Sequence, residues 1–155
     1  MQRPEARLRI ELATRDDVPA IATLSRDAIE AGLEWSWTPP RVGRAVRDRN
    51  TNVIVARDGP RLLGFAIMRY DEERAHLLLL AVAAAVRRRG IGTALLQWLE
   101  ATARVAGIAT IELEARADND TAAAFYRRNG WRRTGIVHGY YRGMIDAVRL
   151  ARTLR

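Results

Sequence analysis

The sequence predicts an α/β (α+β) domain in which a mixed, mostly antiparallel sheet of six to seven strands is flanked by about four helices. In the first half of the chain, short apolar segments alternate with tight turns, which is typical of an antiparallel meander. A strand, a long amphipathic helix and a further strand then follow. This order produces a parallel, right-handed unit, so the sheet must be mixed.

The length of 155 residues suits one domain, because a chain of this size buries most of the surface that its unfolded form exposes. No linker or repeat interrupts it, and we expect residues 1–155 to form a single domain. No apolar run approaches the length of a membrane span, and the N-terminus lacks the apolar middle of a secretory signal. We therefore expect a cytoplasmic protein without membrane contact.

The formal net charge is +8, and all 26 basic residues are arginine. The arginines are spread along the chain without interleaved aromatic residues, which argues against nucleic acid as the partner. An anionic substrate or cofactor accounts for the charge equally well. The absence of cysteine excludes disulfides, thiolate metal sites and a cysteine nucleophile.

The chain opens with residues 8–13, whose apolar and polar side chains alternate as in a strand. Asp16 or Asp17 then caps a helix over about residues 18–31, which Gly32 ends. Residues 33–40, LEWSWTPP, form an irregular loop, and a short helix is predicted for residues 40–48.

The meander follows as three strands, predicted at residues 52–57, 62–70 and 77–82. Asp58-Gly59 makes the first tight turn and residues 71–74 make the second. The last of these strands is a continuous leucine run, a pattern that favours burial on both faces.

The second half of the chain predicts a helix from about Gly90 to Gly107 and a strand at residues 108–115. Along that strand one face carries Ile111, Leu113 and Ala115, and the opposite face carries Thr110, Glu112 and Glu114. Asp118 or Asn119 caps a further helix that Gly130 closes, and strands at residues 131–137 and 140–150 complete the chain.

The turn between the leucine run and the long helix reads Arg87-Arg88-Arg89-Gly90-Ile91-Gly92. Glycines allow a tight turn and a close approach to a ligand, and a helix N-terminus surrounded by arginine attracts phosphate. A mononucleotide P-loop needs lysine, which the chain lacks, and a dinucleotide fingerprint needs a third glycine after the first strand. Both nucleotide motifs are thereby excluded.

This turn resembles the acyl-CoA pyrophosphate loop of the GCN5-related N-acetyltransferases (GNAT), read as Arg/Gln-x-x-Gly-x-Gly/Ala. Asn119-Asp120 and the segment 124–131, AFYRRNGW, resemble the second motif of that family. The similarity spans essentially the whole chain. Within the family, the pattern from Leu80 to Tyr140-Tyr141 is most similar to bacterial ribosomal-protein N-alpha-acetyltransferases.

The resemblance implies acetyl-CoA as the co-substrate. The pyrophosphate would lie on the loop, the pantetheine arm would pair with the strand edge at Leu80–Val82, and the backbone N–H of Val82 would polarise the thioester oxygen. The residues implied in cofactor binding are Leu80, Ala81, Val82, Arg87, Arg88, Arg89, Gly90, Ile91, Gly92, Thr93, Asn119 and Tyr126.

The resemblance also implies the acid and the base. Tyr126 would protonate the departing CoA thiolate, and we expect Phe125 to fill the core and leave the phenol of Tyr126 free; a tyrosine that only packs is the alternative. Glu114 would be the general base, directly or through water. A solvated glutamate is equally compatible with that position, and the other candidate bases are Glu112, His76 and His138. No second ligand is spaced for a metal, and we predict none.

The predicted reaction is direct transfer of acetyl to a primary amine. An α-amine loses its proton more easily than a lysine side chain does, which favours a peptide N-terminus or an amino acid. The residues expected to contact the acceptor are Trp35, Trp37, Tyr140 and Tyr141, although the two tryptophans could equally cover the core. The alternatives are an acetyltransferase for small-molecule amines (polyamine, amino acid, antibiotic) and a catalytically silent acyl-CoA-binding module. A homodimer is compatible with the sequence.

Overall fold

The computed structural model of the protein describes residues 8–155 and confirms the predicted class. A seven-stranded sheet has the order β1-β2-β3-β4-β5-β7-β6. The strands are Arg9–Leu12 (β1), Thr51–Asp58 (β2), Arg61–Tyr70 (β3), Arg74–Val82 (β4), Thr110–Arg116 (β5), Arg132–Tyr141 (β6) and Ile145–Thr153 (β7). The helices are Val18–Ala28 (α1), Pro39–Arg47 (α2), Ile91–Val105 (α3) and Asp120–Arg128 (α4).

The described residues group into two compact units. One unit contains the chain up to Met68 together with Leu79–Leu99. Its sheet begins with β1 antiparallel to β2, where Arg9 pairs with Arg57 and Leu12 with Ile54. Large apolar side chains of the helices and strands fill its core, among them Ile21, Val42, Ile54, Phe65, Ile67 and Leu95.

The other unit contains Arg69–Leu78 and Glu100–Arg155. Here β4 pairs with β5 in parallel over three residue pairs, from Arg74 with Thr110 to His76 with Glu112. On its other side β5 pairs antiparallel with β7 along its whole length, and β7 pairs antiparallel with β6. The core includes Ile111, Leu113, Tyr126, Trp131 and Leu150.

Asp17 occupies the N-cap position of α1, as predicted, but its side chain makes no capping hydrogen bond to the helix. Asp17 instead accepts the backbone N–H of Thr14 at 2.8 Å and a guanidinium N–H of Arg57 at 2.8 Å. The helix also ends at Ala28, before Gly32, because the carbonyl of Ser25 accepts the N–H groups of both Ile29 and Glu30. At α4 the prediction is confirmed, since the side chain of Asn119 accepts the N–H of Ala122.

The prediction that the leucine strand is buried on both faces is wrong. β4 begins earlier, at Arg74, and its side chains alternate between buried and half-buried along the strand. The buried set is Ala75, Leu77, Leu79 and Ala81, and the half-buried set is His76, Leu78, Leu80 and Val82. One face of β4 therefore packs in the core, and the other face is partly open.

The last hairpin turns later than predicted. Arg142 and Gly143 adopt left-handed backbone conformations, with φ of 57° and 68°, and reverse the chain between β6 and β7. Tyr140 and Tyr141 consequently end β6 and do not begin β7. Gly139, which falls between the two predicted strands, lies within β6, where the pairing with β7 shifts register between Val137 and Tyr141.

None of the helices within residues 8–155 has the length and apolar character that crossing a bilayer requires.

Candidate active site

The loop after β4 has the geometry of an anion site. Arg88 and Gly90 adopt left-handed conformations, with φ of 66° and 78°, and the N–H of Ala94 bonds the carbonyl of Gly90 at 3.0 Å as α3 begins. The first N–H groups of an α-helix have no partner within the helix. Arg87, Arg88 and Arg89 are all exposed around this helix start. The loop thus offers backbone donors and three guanidinium groups to a phosphate.

The strand that leads into this loop is held close to β3. Gly64 of β3 is buried, and a Cβ atom added to it would lie 2.8 Å from the carbonyl oxygen of Ala81. Only glycine allows this approach of the two backbones. On the loop side, the Nε of Arg87 donates to the carbonyl of Val82 at 3.3 Å.

Glu114 lies in the other unit, at the centre of a hydrogen-bonded row across three neighbouring strands. Its Oε2 atom is 2.5 Å from Nε2 of His76 on β4. Its Oε1 atom accepts the Nε–H of Arg149 on β7 at 3.3 Å. The Glu114 side chain is 6% exposed, whereas that of His76 is 26% exposed. The alternative of a solvated glutamate at this position is therefore wrong.

The environment of Glu114 keeps it ionised. Burial alone would raise the pKa of the carboxyl, but the hydrogen bond and charge of His76, followed by those of Arg149, outweigh burial and hold the pKa below its ordinary value. A carboxylate with a lowered pKa is a weak proton acceptor. An ionised Glu114 carboxylate can instead stabilise a positive charge that forms beside it.

The prediction for the aromatic pair on α4 is reversed. Tyr126 is buried, with 8% of its surface exposed, and Phe125 is only half-buried. The Tyr126 ring packs edge-on against Phe125 and Trp131, with centroid distances of 5.0 and 5.5 Å. Burial, together with the nearby Tyr141, raises the pKa of the Tyr126 phenol well above its ordinary value. The phenol thus remains protonated at neutral pH, although the raised pKa also makes it a weaker acid than an exposed tyrosine.

Tyr141 lies near both Glu114 and Tyr126. Its hydroxyl is 3.5 Å from the backbone carbonyl of Glu114, and burial, with smaller contributions from Tyr140 and Glu114, raises its pKa to about 12. Tyr140 packs edge-on against Tyr141 with a centroid distance of 4.9 Å and is 48% exposed. The end of β6 therefore presents one tyrosine to the buried cluster and one to solvent.

The two tryptophans lie on the α1–α2 connection in the first unit, and both are half-buried. The indole N–H of Trp35 donates to the carbonyl of Ala22 at 3.2 Å. The guanidinium of Arg41 lies 3.9 Å from the ring centroid of Trp37. Half-burial is compatible both with a cover over the core edge and with contact to an acceptor.

The remaining candidate bases differ from Glu114 in their surroundings. Glu112 lies 3.6 Å from Arg74, and its side chain is 31% exposed. His138 is 82% exposed and pairs with Asp146 on the β6–β7 hairpin. Residues 8–155 contain no group of three or more histidine, cysteine, aspartate or glutamate side chains placed to hold a metal ion.

Sequence reasoning proposed Glu114 and Tyr126 as the catalytic pair but treated His76 as one lone histidine among other candidates. The alternation along β4 and β5 restricts each side chain to one face. Only the register, which pairs His76 with Glu112, brings His76 within reach of Glu114, two residues further along β5.

Comparison with known proteins identifies the family of the chain. The sequence profile described as Acetyltransferase (GNAT) family matches residues 12–131. A ribosomal protein bS18-alanine N-acetyltransferase of Salmonella typhimurium is 34% identical over 145 residues, which cover 92% of this chain and 95% of that protein. The N-alpha-acetyltransferase RimI of Mycobacterium tuberculosis is 37% identical over 112 residues, 68% of each chain.

The fold agrees with that of a solved relative. The crystal structure of the ribosomal-protein-S18-alanine N-acetyltransferase from Escherichia coli superposes with a TM-score of 0.83 at 26% identity. The match covers 96% of this chain and 94% of that one.

Proposed function

Since the chain belongs to the acetyltransferase (GNAT) family and is an N-acetyltransferase, we propose that it transfers acetyl from acetyl-CoA directly to the α-amine of a protein or peptide N-terminus. The observation that carries the proposal is the loop Arg87–Thr93. Its left-handed Arg88 and Gly90 and three exposed arginines suit a pyrophosphate. The relatives that act on ribosomal protein bS18 and on N-alpha groups support the choice of acceptor.

The chain's own residues take these parts in binding acetyl-CoA. The helix start and Arg87, Arg88 and Arg89 bind the pyrophosphate, and the β4 edge at Leu80–Val82 pairs with the pantetheine arm. The N–H of Val82 stabilises the oxyanion that forms on the thioester carbonyl. Gly90, Ile91, Gly92, Thr93, Asn119 and Tyr126 complete the cofactor-binding set. Acetyl-CoA supplies the activated acyl group.

The transfer needs one proton acceptor and one proton donor. An ammonium must lose a proton before its nitrogen can attack, and the His76–Glu114 pair provides the acceptor. The thiolate that leaves must gain a proton, and the phenol of Tyr126, which burial keeps protonated, provides the donor. The chain has no cysteine that could form a thioester intermediate, which supports direct passage of acetyl between the two substrates.

An α-amine suits this chemistry better than a lysine side chain. The reference pKa values are about 8 and about 10.4, a difference of roughly 3 kcal/mol in the free energy of supplying neutral amine. A base of moderate strength is therefore sufficient for an N-terminus. Trp35, Trp37, Tyr140 and Tyr141 would contact the acceptor, and a ribosomal protein as acceptor would place the reaction in the cytoplasm.

An amine panel tests the proposal. The purified chain is mixed with acetyl-CoA and with peptides that have a free N-terminus, the same peptides with a blocked N-terminus and one lysine, spermidine, or free amino acids. CoA release is measured, and mass spectrometry locates the acetyl group. We expect release with the free N-terminal peptides and not with their blocked counterparts. Acetylation of lysine or spermidine alone would overturn the choice of acceptor.

Binding of acetyl-CoA is measured separately, as a shift in the unfolding temperature. Binding without release over the whole panel would favour an acyl-CoA-binding module. The absence of both would contradict the proposed function entirely.

A further inference from the structure

We propose that His76, and not Glu114, takes the proton from the acceptor amine, and that Glu114 acts through His76 as a positioning residue. The inference deepens the proposed function and rests on it. It begins from the hydrogen-bonded row of His76, Glu114 and Arg149 across β4, β5 and β7.

Glu114 is poorly placed to meet a substrate itself. One carboxylate oxygen is engaged by His76 and the other by Arg149, and its side chain is 6% exposed. With so little of the carboxylate exposed, an amine has little access to it. His76, with a side chain that is 26% exposed, uses one ring nitrogen for Glu114 and has a second.

The contact also determines which nitrogen carries the proton. An ionised carboxylate only accepts hydrogen bonds, so the neutral imidazole must donate to it from Nε2. The lone pair is then on Nδ1, which is the atom able to accept a proton. Glu114 thereby sets the tautomer that a general base requires, as the aspartate does for the histidine of a catalytic triad.

The surrounding charges favour the same assignment. When His76 gains a proton, the imidazolium lies beside the Glu114 carboxylate, whose negative charge stabilises it. Charged groups on the neighbouring strands include Arg69 on β3, Arg74 on β4, Glu112 and Arg116 on β5, and Asp146, Arg149 and Arg152 on β7. Arg149 is in contact with Glu114 and keeps it ionised.

His76 and Tyr126 together account for both protons that the acceptor ammonium loses. The acceptor ammonium loses two protons on becoming an amide. One moves from nitrogen to Nδ1 of His76 as the neutral amine forms, and it later passes to solvent. The second leaves as the tetrahedral intermediate collapses and the carbon–sulfur bond breaks. This second proton passes to the oxygen of Tyr126 and restores the phenol, whose own proton has gone to the CoA thiolate.

The first test compares His76→Gln with His138→Gln, the same change at the chain's other histidine. Rates are measured across pH with both substrates saturating. In the wild type, kcat should rise with pH as the general base loses its proton. We expect His76→Gln to lower kcat by about 10²–10³-fold and to abolish the rise of kcat with pH. The affinity for acetyl-CoA should stay unchanged within about twofold. His138→Gln should match the wild type.

A double variant separates the two roles. If Glu114 acts through His76, adding Glu114→Gln to His76→Gln should cause no further loss, because residues that work as a unit are not additive. If Glu114 were the base, His76→Gln would keep kcat within about threefold of the wild type, and kcat would still rise with pH. That result would overturn the inference while leaving the proposed function intact.

A measurement on the unmodified protein keeps the inference testable if a variant misfolds. Long-range ¹⁵N–¹H spectra of the histidine rings should show His76 protonated on Nε2 when it is neutral. Protonation on Nδ1 would contradict the assignment, whatever the activity. A wild type that acetylates no amine, by contrast, would refute the proposed function first.

Discussion

The backbone nitrogen of Ser36 lies 2.6 Å from Oε1 of Glu30, a carboxylate buried at the end of the first helix. The same oxygen accepts the N–H of Trp37 at 3.1 Å, and Oε2 accepts the hydroxyl of Ser25 at 3.0 Å. Three donors thus converge on one side chain. Glu30 holds the loop on which Trp35 and Trp37, the proposed acceptor contacts, are displayed.

Replacing Glu30 tests this anchoring. Glu30→Ala leaves three donors without their acceptor and should lower the free energy of unfolding by about 2–4 kcal/mol in urea titrations. Glu30→Gln is the matched control, since its amide oxygen can accept both backbone N–H groups while its NH₂ faces Ser25. A glutamine variant as unstable as the alanine variant would show that the charge, and not the acceptor geometry, matters.

Gly64→Ala should disturb β4 at the segment proposed to bind the pantetheine arm. The added Cβ meets the Ala81 carbonyl at 2.8 Å, so the two strands must separate, at a cost of about 1–3 kcal/mol. We expect a lower unfolding temperature and a higher KM for acetyl-CoA.

The control for this variant is Gly43→Ala in α2, where the nearest contact is the flexible Arg47 side chain at 3.4 Å. This change should stabilise the chain by about 0.5–1 kcal/mol, because alanine favours a helix more than glycine does. Equal effects of the two alanines would refute the role of the close approach at Gly64.

Tyr126→Phe removes the proposed proton donor and leaves the packed ring. We expect kcat to fall by about 10²-fold or more, with acetyl-CoA affinity nearly unchanged. Tyr70→Phe is the matched control, because the Tyr70 hydroxyl is buried without a hydrogen-bond partner in the described part of the chain. That variant should be as active and as stable as the wild type. Full turnover by Tyr126→Phe would exclude the phenol from the mechanism.

The stability of the chain should depend on pH through Asp17. Burial opposes ionisation of Asp17, but the hydrogen bonds from Arg57 and Thr14 and the charge of Arg57 outweigh it and lower the pKa of the carboxyl. A lowered folded-state pKa adds stability that is complete above the unfolded value, near 4, and is lost as the pH falls through the folded value.

Asp17→Asn should therefore reduce the free energy of unfolding at pH 7 by about 1–3 kcal/mol, and the difference from the wild type should shrink towards pH 2. Asp16→Asn, at an exposed neighbouring position, serves as the control and should change little at either pH. A deficit in Asp17→Asn that persisted at low pH would show that packing, not charge, is lost.

Most elements of the fold could be predicted because their signals are local. The turns at Gly59, Gly107 and Gly130 depend on left-handed backbone that glycine adopts readily. The last hairpin was placed too early, because Gly139 and Gly143 both adopt left-handed backbone and glycine propensity alone does not choose between them. The true turn also uses a non-glycine residue, Arg142, which propensity does not reveal.

Parts of the candidate site could be proposed from the sequence. The loop Arg87–Thr93 is a continuous motif and could be read directly from the chain. The preference for Phe125 over Tyr126 as the buried ring was wrong, because neighbouring residues on a helix differ by about 100° in direction. Which of them faces inward depends on the position of the helix against the sheet.

The sequence by itself determined the family, the order of the elements and the anion loop, since all of these follow from patterns within short stretches of chain. Only the tertiary structure decided how His76 and Glu114 are related. Their contact joins residues 38 positions apart in the sequence, and it exists because β4 and β5 pair in one particular register. A shift of one residue would turn either side chain to the other face of the sheet.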